Sequence, residues 1–230
     1  MIPKILHQVW VGDNPIPPVL LNFRRHWIDL HPNWQHVLWK NADIPDLKIP
    51  ADLLERVKSL PITCLPNIVR LFAVFQYGGV YSDLDVDPIR NIDFLLETPG
   101  PFAAVEWIGE AYGKPYTSYS NAIYGSPRRH PFIQFQIDHI PMALDYPTPW
   151  GPPLLTIGVE AMVNSNIPIN LLGKECFCPY VWGEGPFPTS NFPNSYGVHH
   201  WALSWGKDAR VEKIAECNSI PPQKSDSAAV

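Results

Sequence analysis

The sequence predicts an α/β fold with a ligand held at the carboxyl ends of its strands. Three observations carry that expectation. Short β-rich apolar runs alternate with segments whose apolar residues recur at helical spacing through the N-terminal part of the chain. Clusters of Gly, Pro, Asn and Asp separate these runs. After the pair Gly78-Gly79, aspartates occupy every second position from Asp83 to Asp87, and ligands of such sheets bind where strands end.

The elements follow in order. Residues 4–11 are apolar and rich in β-formers, and Gly12-Asp13-Asn14-Pro15 ends them. Residues 18–30 read as a helix, with Leu20, Leu21, Phe23, Trp27 and Leu30 at helical spacing and His31-Pro32-Asn33 as the stop. A short strand at 36–39 and a helix at 51–58 come next. The helix after them has the clearest punctuation. Pro66 suits its first position and Gly78 suits the cap after Tyr77. Ile68, Leu71, Phe72 and Phe75 form one apolar stripe, while Asn67, Arg70, Val74 and Tyr77 lie on another face. Residues 80–87 alternate as a strand closed by Pro88. Further on, 102–107 and 121–124 read as strands, 131–140 and 154–163 as helices, and 169–172 and 196–200 as short strands. With no internal repeat, residues 1–220 are read as one domain and 221–230 as a polar tail.

Composition narrows the function classes. The 230 residues, 46% hydrophobic, suffice for one sizeable core. A net charge of −5 without a Lys/Arg cluster weighs against a phosphate-backbone binder and against a polybasic membrane segment. The 27 prolines imply stiff connections, and the 9 tryptophans need either a large core or flat ligands such as sugars and bases. Cys64, Cys176, Cys178 and Cys217 lack metal-knuckle spacing and read as free thiols. The first residues run straight into a strand, and no apolar run is long enough to span a bilayer, so a cytoplasmic protein is expected.

Asp83, Asp85 and Asp87 are spaced i, i+2, i+4, which on a strand sets three carboxylates on one face. Like charges that close raise a pKa or recruit a cation. Oxygen ligands suit Mg²⁺ or Mn²⁺, which would also neutralise a bound diphosphate. A solvated acidic face is the competing reading. Asp87, next to Pro88, fits either the metal or a bond to the following turn.

Three blocks resemble glycosyltransferase family 32, the DXD sugar-binding group that includes fungal α-1,6-mannosyltransferases and is related to the clostridial glucosylating toxins. They are 2–10, Arg70 with 77–86, and 198–201 with Ser204-Trp205. The resemblance implies a GT-A fold (a Rossmann-like mixed sheet flanked by helices), a nucleotide-sugar donor, Mn²⁺ or Mg²⁺, and transfer with retention. It matches Val9 and Trp10 to the nucleobase contact, Arg70, Tyr81 and Leu84 to the donor wall, and Asp83 and Asp85 to the motif aspartates. Asn121 matches a residue near the transferred sugar, His199 a late metal ligand, and Ser204 and Trp205 a pair closing on the diphosphate. Gly151-Pro152 with Thr156 matches a family loop to which chemistry assigns no role. Asn67 departs from the usual Asp and loses a charged acceptor. Glu106 and Glu110 are candidates for the acceptor side.

The expected reaction moves a hexose from a UDP-sugar or GDP-sugar, with UDP favoured by Trp10, to a hydroxyl of a glycan, lipid-linked sugar or protein. A nucleotide-sugar hydrolase and a non-catalytic sugar-binding module are the alternatives.

Overall fold

The computed structural model describes residues 1–111, 113–144, 151–202 and 210–219. The chain runs β1 (Ile5–Val9), α1 (Pro18–Leu30), β2 (Gln35–Trp39), a 3-10 segment (Asn41–Leu47), α2 (Ala51–Lys58), α3 (Cys64–Tyr77), β3 (Gly79–Ser82), β4 (Val86–Pro88) and α4 (Asp93–Glu97). It continues with β5 (Phe102–Ala111), β6 (Lys114–Ser126), α5 (Pro131–Leu144), α6 (Gly151–Asn164), β7 (Asn170–Leu172), β8 (Gly197–His199) and α7 (Arg210–Ser219). The tail 221–230 lies outside the described residues.

Six strands form one mixed sheet in the order β2-β1-β3-β6-β5-β7. Among the described residues, β6 alone runs against the others. Strand β1 lies between β2 and β3, so the chain leaves it to one side and returns on the other. That reversal opens a crevice beyond the carboxyl ends of β1 and β3.

Strand alternation sorts the core onto two faces. Val9, Tyr81, Ala103 and Tyr124 point to the face covered by α2, α3, α5 and α6. Leu6, Val80, Phe102 and Ala104 point to the opposite face, against Trp27 of α1 and Leu95 and Leu96 of α4. Helix α3 buries Leu65, Ile68, Val69, Leu71, Ala73 and Val74, more of its circumference than the stripe read from the sequence. It begins at Cys64, so Pro66 is its third residue; its first turn still leaves N–H groups without helical partners, and a proline fits there.

One prediction is corrected here. Residues 80–87 are not one strand. β3 stops at Ser82, β4 starts at Val86, and the two belong to different sheets. The Asp83 N–H donates to the Ala122 carbonyl at 2.7 Å, and the chain then turns, with Val86 N–H donating to the Asp83 carbonyl at 3.2 Å. Leu84 is buried in a separate cluster with Phe23 and Ile214, which draws the chain out of the main sheet. No helix among the described residues is long and apolar enough to cross a membrane.

Candidate functional site

The motif aspartates lie on the turn between β3 and β4, at the mouth of the crevice. His199 reaches them through strand pairing. β8 runs antiparallel to β4 with His199 opposite Val86, one residue from Asp85. The His200 N–H donates to the Asp85 carbonyl at 2.9 Å, and the Ala202 N–H donates to Asp85 Oδ2 at 2.7 Å. Asp85 Oδ1 lies 3.5 Å from His199 Nε2. Asp83, Asp85 and His199 each present a ligand atom, all within 4.8 Å of one another.

The electrostatics of this trio favour a cation. Burial raises the Asp83 pKa against the opposing pull of Arg70, and the neighbouring Asp85 adds to the rise. Burial also works against the charge on Asp85, but His199 and the Ala202 N–H outweigh it and lower its pKa. His199 would lose its proton to burial, yet Asp85 holds its pKa well above the ordinary value. Positive charge is thus stabilised between these side chains. Two carboxylates and one imidazole suit Mn²⁺ well and Mg²⁺ less well, so the residues fit the divalent ion the resemblance implies.

Arg70, on α3, holds this corner together. Its Nη1 donates to the Asn121 carbonyl at 2.7 Å and its Nε to the Pro66 carbonyl at 3.3 Å. Nη2 lies 3.2 Å from Asp83 Oδ1, and the guanidinium carbon lies 4.4 Å from the centroid of the Tyr81 ring. The Tyr81 hydroxyl donates to the same Asp83 oxygen. Asp83 Oδ1 is therefore fixed from two sides, and the other oxygen is spared for a ligand.

Two clefts meet at this corner. The first encloses about 760 Å³ and is lined by Val9, Trp10, Arg70, Tyr81, Leu84 and the two motif aspartates. The second, about 1200 Å³, is lined in part by Asn67, Glu106, Asn121, Trp182, His199 and Trp201. Thr63, Pro66, Arg70, Asp83 and Asp85 line both.

Comparison with known proteins now identifies the family. Residues 17–101 match the model described as a glycosyltransferase sugar-binding region containing a DXD motif. The chain belongs to this DXD glycosyltransferase family. Inositol phosphoceramide mannosyltransferase 3 of Schizosaccharomyces pombe is 33% identical over 154 residues, 65% of this chain and 40% of that protein. Inositol phosphoceramide mannosyltransferase 1 of the same yeast is 28% identical over 232 residues, 91% of this chain and 64% of that protein. An uncharacterized glycosyltransferase of Acanthamoeba polyphaga mimivirus is 25% identical over 142 residues, 59% of this chain and 54% of that protein. The chain thus spans less than two thirds of the length of each of these relatives. The solved structure titled PaToxG Glycosyltransferase superposes with a TM-score of 0.50 at 14% identity, covering 72% of this chain and 73% of that one. That likeness concerns the fold, which is GT-A.

Within this structure most of the residues singled out from the sequence converge. Val9 and Trp10 line the first cleft, and the Trp10 indole N–H donates to the Asn14 carbonyl at 2.7 Å, which fixes the ring. Tyr81 is almost fully buried beneath Arg70 and lines the first cleft, its hydroxyl donating to Asp83. Asn67 lines the second cleft, and its Oδ1 accepts from Asn121 Nδ2 at 2.9 Å. The segment read as a loop without an assigned role is instead the start of α6, and it packs behind Asn121. A Cβ on Gly151 would lie 2.4 Å from Asn121 Nδ2, and the Thr156 hydroxyl accepts from Tyr119 N–H at 3.0 Å. Ser204 and Trp205 lie outside the described residues.

Asp87 is corrected on both counts left open for it. It faces away from the trio, on β4, where its Oδ1 lies 2.7 Å from His26 Nδ1 and its Oδ2 accepts from the Thr189 hydroxyl at 2.7 Å. The i, i+2, i+4 argument fails for it because Asp83 to Asp85 form a turn rather than a strand. The sequence gave no reason to single out Trp182 within a chain holding 9 tryptophans, and Trp201 fell inside the block 198–201 without a role of its own. Glu110 is exposed on the hairpin, whereas Glu106 lines the second cleft.

Proposed function

We propose that this chain carries the catalytic unit of a metal-dependent retaining glycosyltransferase that moves a hexose from a nucleotide sugar to an acceptor hydroxyl. The observation that carries this reading is the Asp83–Asp85–His199 trio: its two aspartates line both clefts and its histidine lines the second. The nucleotide occupies the first cleft, with its base against Val9 and Trp10. The diphosphate lies at the trio, and the sugar points into the second cleft near Asn121.

Asp83, Asp85 and His199 hold Mn²⁺ or Mg²⁺, which when bound supplies Lewis-acid stabilisation of the leaving diphosphate. Arg70 and Tyr81 aim Asp83 and oppose the rise that burial gives its pKa. Arg70 lines both clefts, and its guanidinium charge stabilises charge developing on phosphate or sugar oxygens. Retention follows from front-face attack assisted by the departing phosphate. We assign mannose as the hexose because the relatives are named mannosyltransferases, and this brings GDP-mannose forward beside the UDP-sugars that Trp10 suggests.

A thermal-shift panel of GDP-mannose, UDP-glucose, UDP-galactose and UDP-N-acetylglucosamine, with Mn²⁺, with Mg²⁺ and with chelator, tests this. One nucleotide sugar should stabilise the fold, and only with metal present. Stabilisation that survives chelator would overturn the metal role. Product analysis giving free hexose with every acceptor offered would make the protein a nucleotide-sugar hydrolase.

A further inference from the structure

The second cleft has a wall that the donor reading leaves unused. Glu106 reaches that wall through a fault in the β5–β6 ladder. Val105 pairs with Tyr119 and Trp107 with Ser118, so two steps along β5 meet one along β6. An extra residue in one strand is unpaired, bends the strand and re-aims its side chain. The extra residue here is Glu106. It lies outside the family-matched segment 17–101. Burial pushes its pKa up against the opposing pull of the nearby His199 and Ser120. A carboxylate has about four acceptor sites, so most of its capacity remains for the cleft.

Two indoles flank the same space. Trp182 is 61% exposed, the largest exposed flat surface lining either cleft among the described residues. Trp201 sits with its ring centroid 4.1 Å from that of His199, and its Nε1 donates to the Tyr180 carbonyl at 3.3 Å. Its backbone has φ +56, a left-handed conformation that a bulky residue keeps only where surroundings enforce it.

We propose that Glu106 and Trp182 form the acceptor subsite, taking a sugar ring whose hydroxyls donate to the Glu106 carboxylate while Trp182 covers its C–H face. The chemistry favours a sugar over a peptide. A sugar presents adjacent hydroxyls on one edge and an apolar face, which match a half-buried carboxylate and a flat indole lining one cleft. A site built to bond hydroxyls rejects ligands that leave its polar groups unpaired. The glycosyltransferase reading supplies the donor side, and this proposal rests on it for the reaction but not for binding.

The test uses the full chain with Mn²⁺ and a nucleoside diphosphate. Methyl α-glycosides of mannose, glucose and galactose are the probes, read by calorimetry. At least one glycoside should bind. Glu106→Gln, which keeps size and loses charge, should weaken that glycoside about tenfold, the usual scale for a charge-assisted bond. Trp182→Ala should weaken it several-fold and Trp182→Phe less. The donor-induced thermal shift should be unaltered in all three, which also shows that they fold. In turnover, the acceptor KM should rise while the donor KM holds. The proposal is overturned if no glycoside binds the wild type, if short Ser/Thr peptides bind in their place, or if glycoside affinity is unaffected in both Glu106→Gln and Trp182→Ala. Trp182 is exposed, so its variants report even if the Glu106 variant does not fold. Glycoside binding without any nucleotide-sugar binding would sink the donor reading and leave this one standing.

Discussion

Acid should destabilise this protein through His7, in the first motif block. His7 lies on β1, fully buried, with Nδ1 accepting from the Trp39 indole at 3.1 Å and Nε2 2.8 Å from the Gly78 carbonyl. The ring is therefore neutral with its proton on Nε2, and it ties β1 to the turn that launches β3 toward the aspartates. Burial drives its pKa from 6.5 down to about 4, against the opposing effect of the Gly78 carbonyl. Between those two values the unfolded chain binds a proton that the folded chain does not. Stability from this group is complete above pH 6.5 and is lost as pH falls toward 4. From about pH 7.5 to about pH 4.5 the loss is about 2.5 kcal/mol. His200, also lowered to about 4 by burial, adds a similar amount. Urea unfolding at both pH values should therefore show the wild type losing about 2.5 kcal/mol more than His7→Gln, which cannot titrate. Parallel losses in the two proteins, or a His7 ring that titrates by NMR at pH 6 or above, would refute the reasoning.

Three further outcomes are expected. Asp85→Ala or His199→Ala should weaken Mn²⁺ binding in the presence of a nucleoside diphosphate by more than the roughly 10–100-fold typical of outer-sphere changes; calorimetric affinities within threefold of wild type would exclude the trio as the metal site. Gly79→Ala should destabilise the fold by about 2 kcal/mol or more, since φ is +111 and the new Cβ would lie 2.5 Å from the Ile5 carbonyl oxygen; an unshifted urea midpoint contradicts this. Asp87→Ala, which strips both the Thr189 hydroxyl and His26 of their acceptor, should cost about 2 kcal/mol in urea unfolding; no loss would mean that the β4–β8 corner stands without it.

The parts of this fold that local chemistry controls were legible in the sequence. Helices α1 and α2 have the bounds read for them, because apolar spacing and Pro, Gly and Asn signals act within a few residues. Helix α4 and helix α7 went unread: one is five residues long, and the other is polar over most of its length. Residues 80–87 deceived for a physical reason. Alternation of polar and apolar residues is the same for one strand as for a strand, a turn and a strand entering another sheet, and β8, the partner that receives β4, lies far downstream in the chain. The aspartates, Arg70 and Trp10 could be named from motif resemblance. That Arg70 spends donors on Asn121, Pro66 and Asp83, and that Asn67 bonds Asn121, could not.

Spacing, punctuation and composition by themselves determined the α/β class, the order of the principal elements and the acidic pair. Each depends on interactions between near neighbours in the chain. Only the tertiary structure decided which groups share a site. The β4–β8 ladder brings His199 to Asp85, the turn after Ser82 swings Asp87 away to His26, and a bulge in β5 aims Glu106 into the cleft. Pairing register between distant strands is set by the packing of the whole sheet, and no local pattern encodes it.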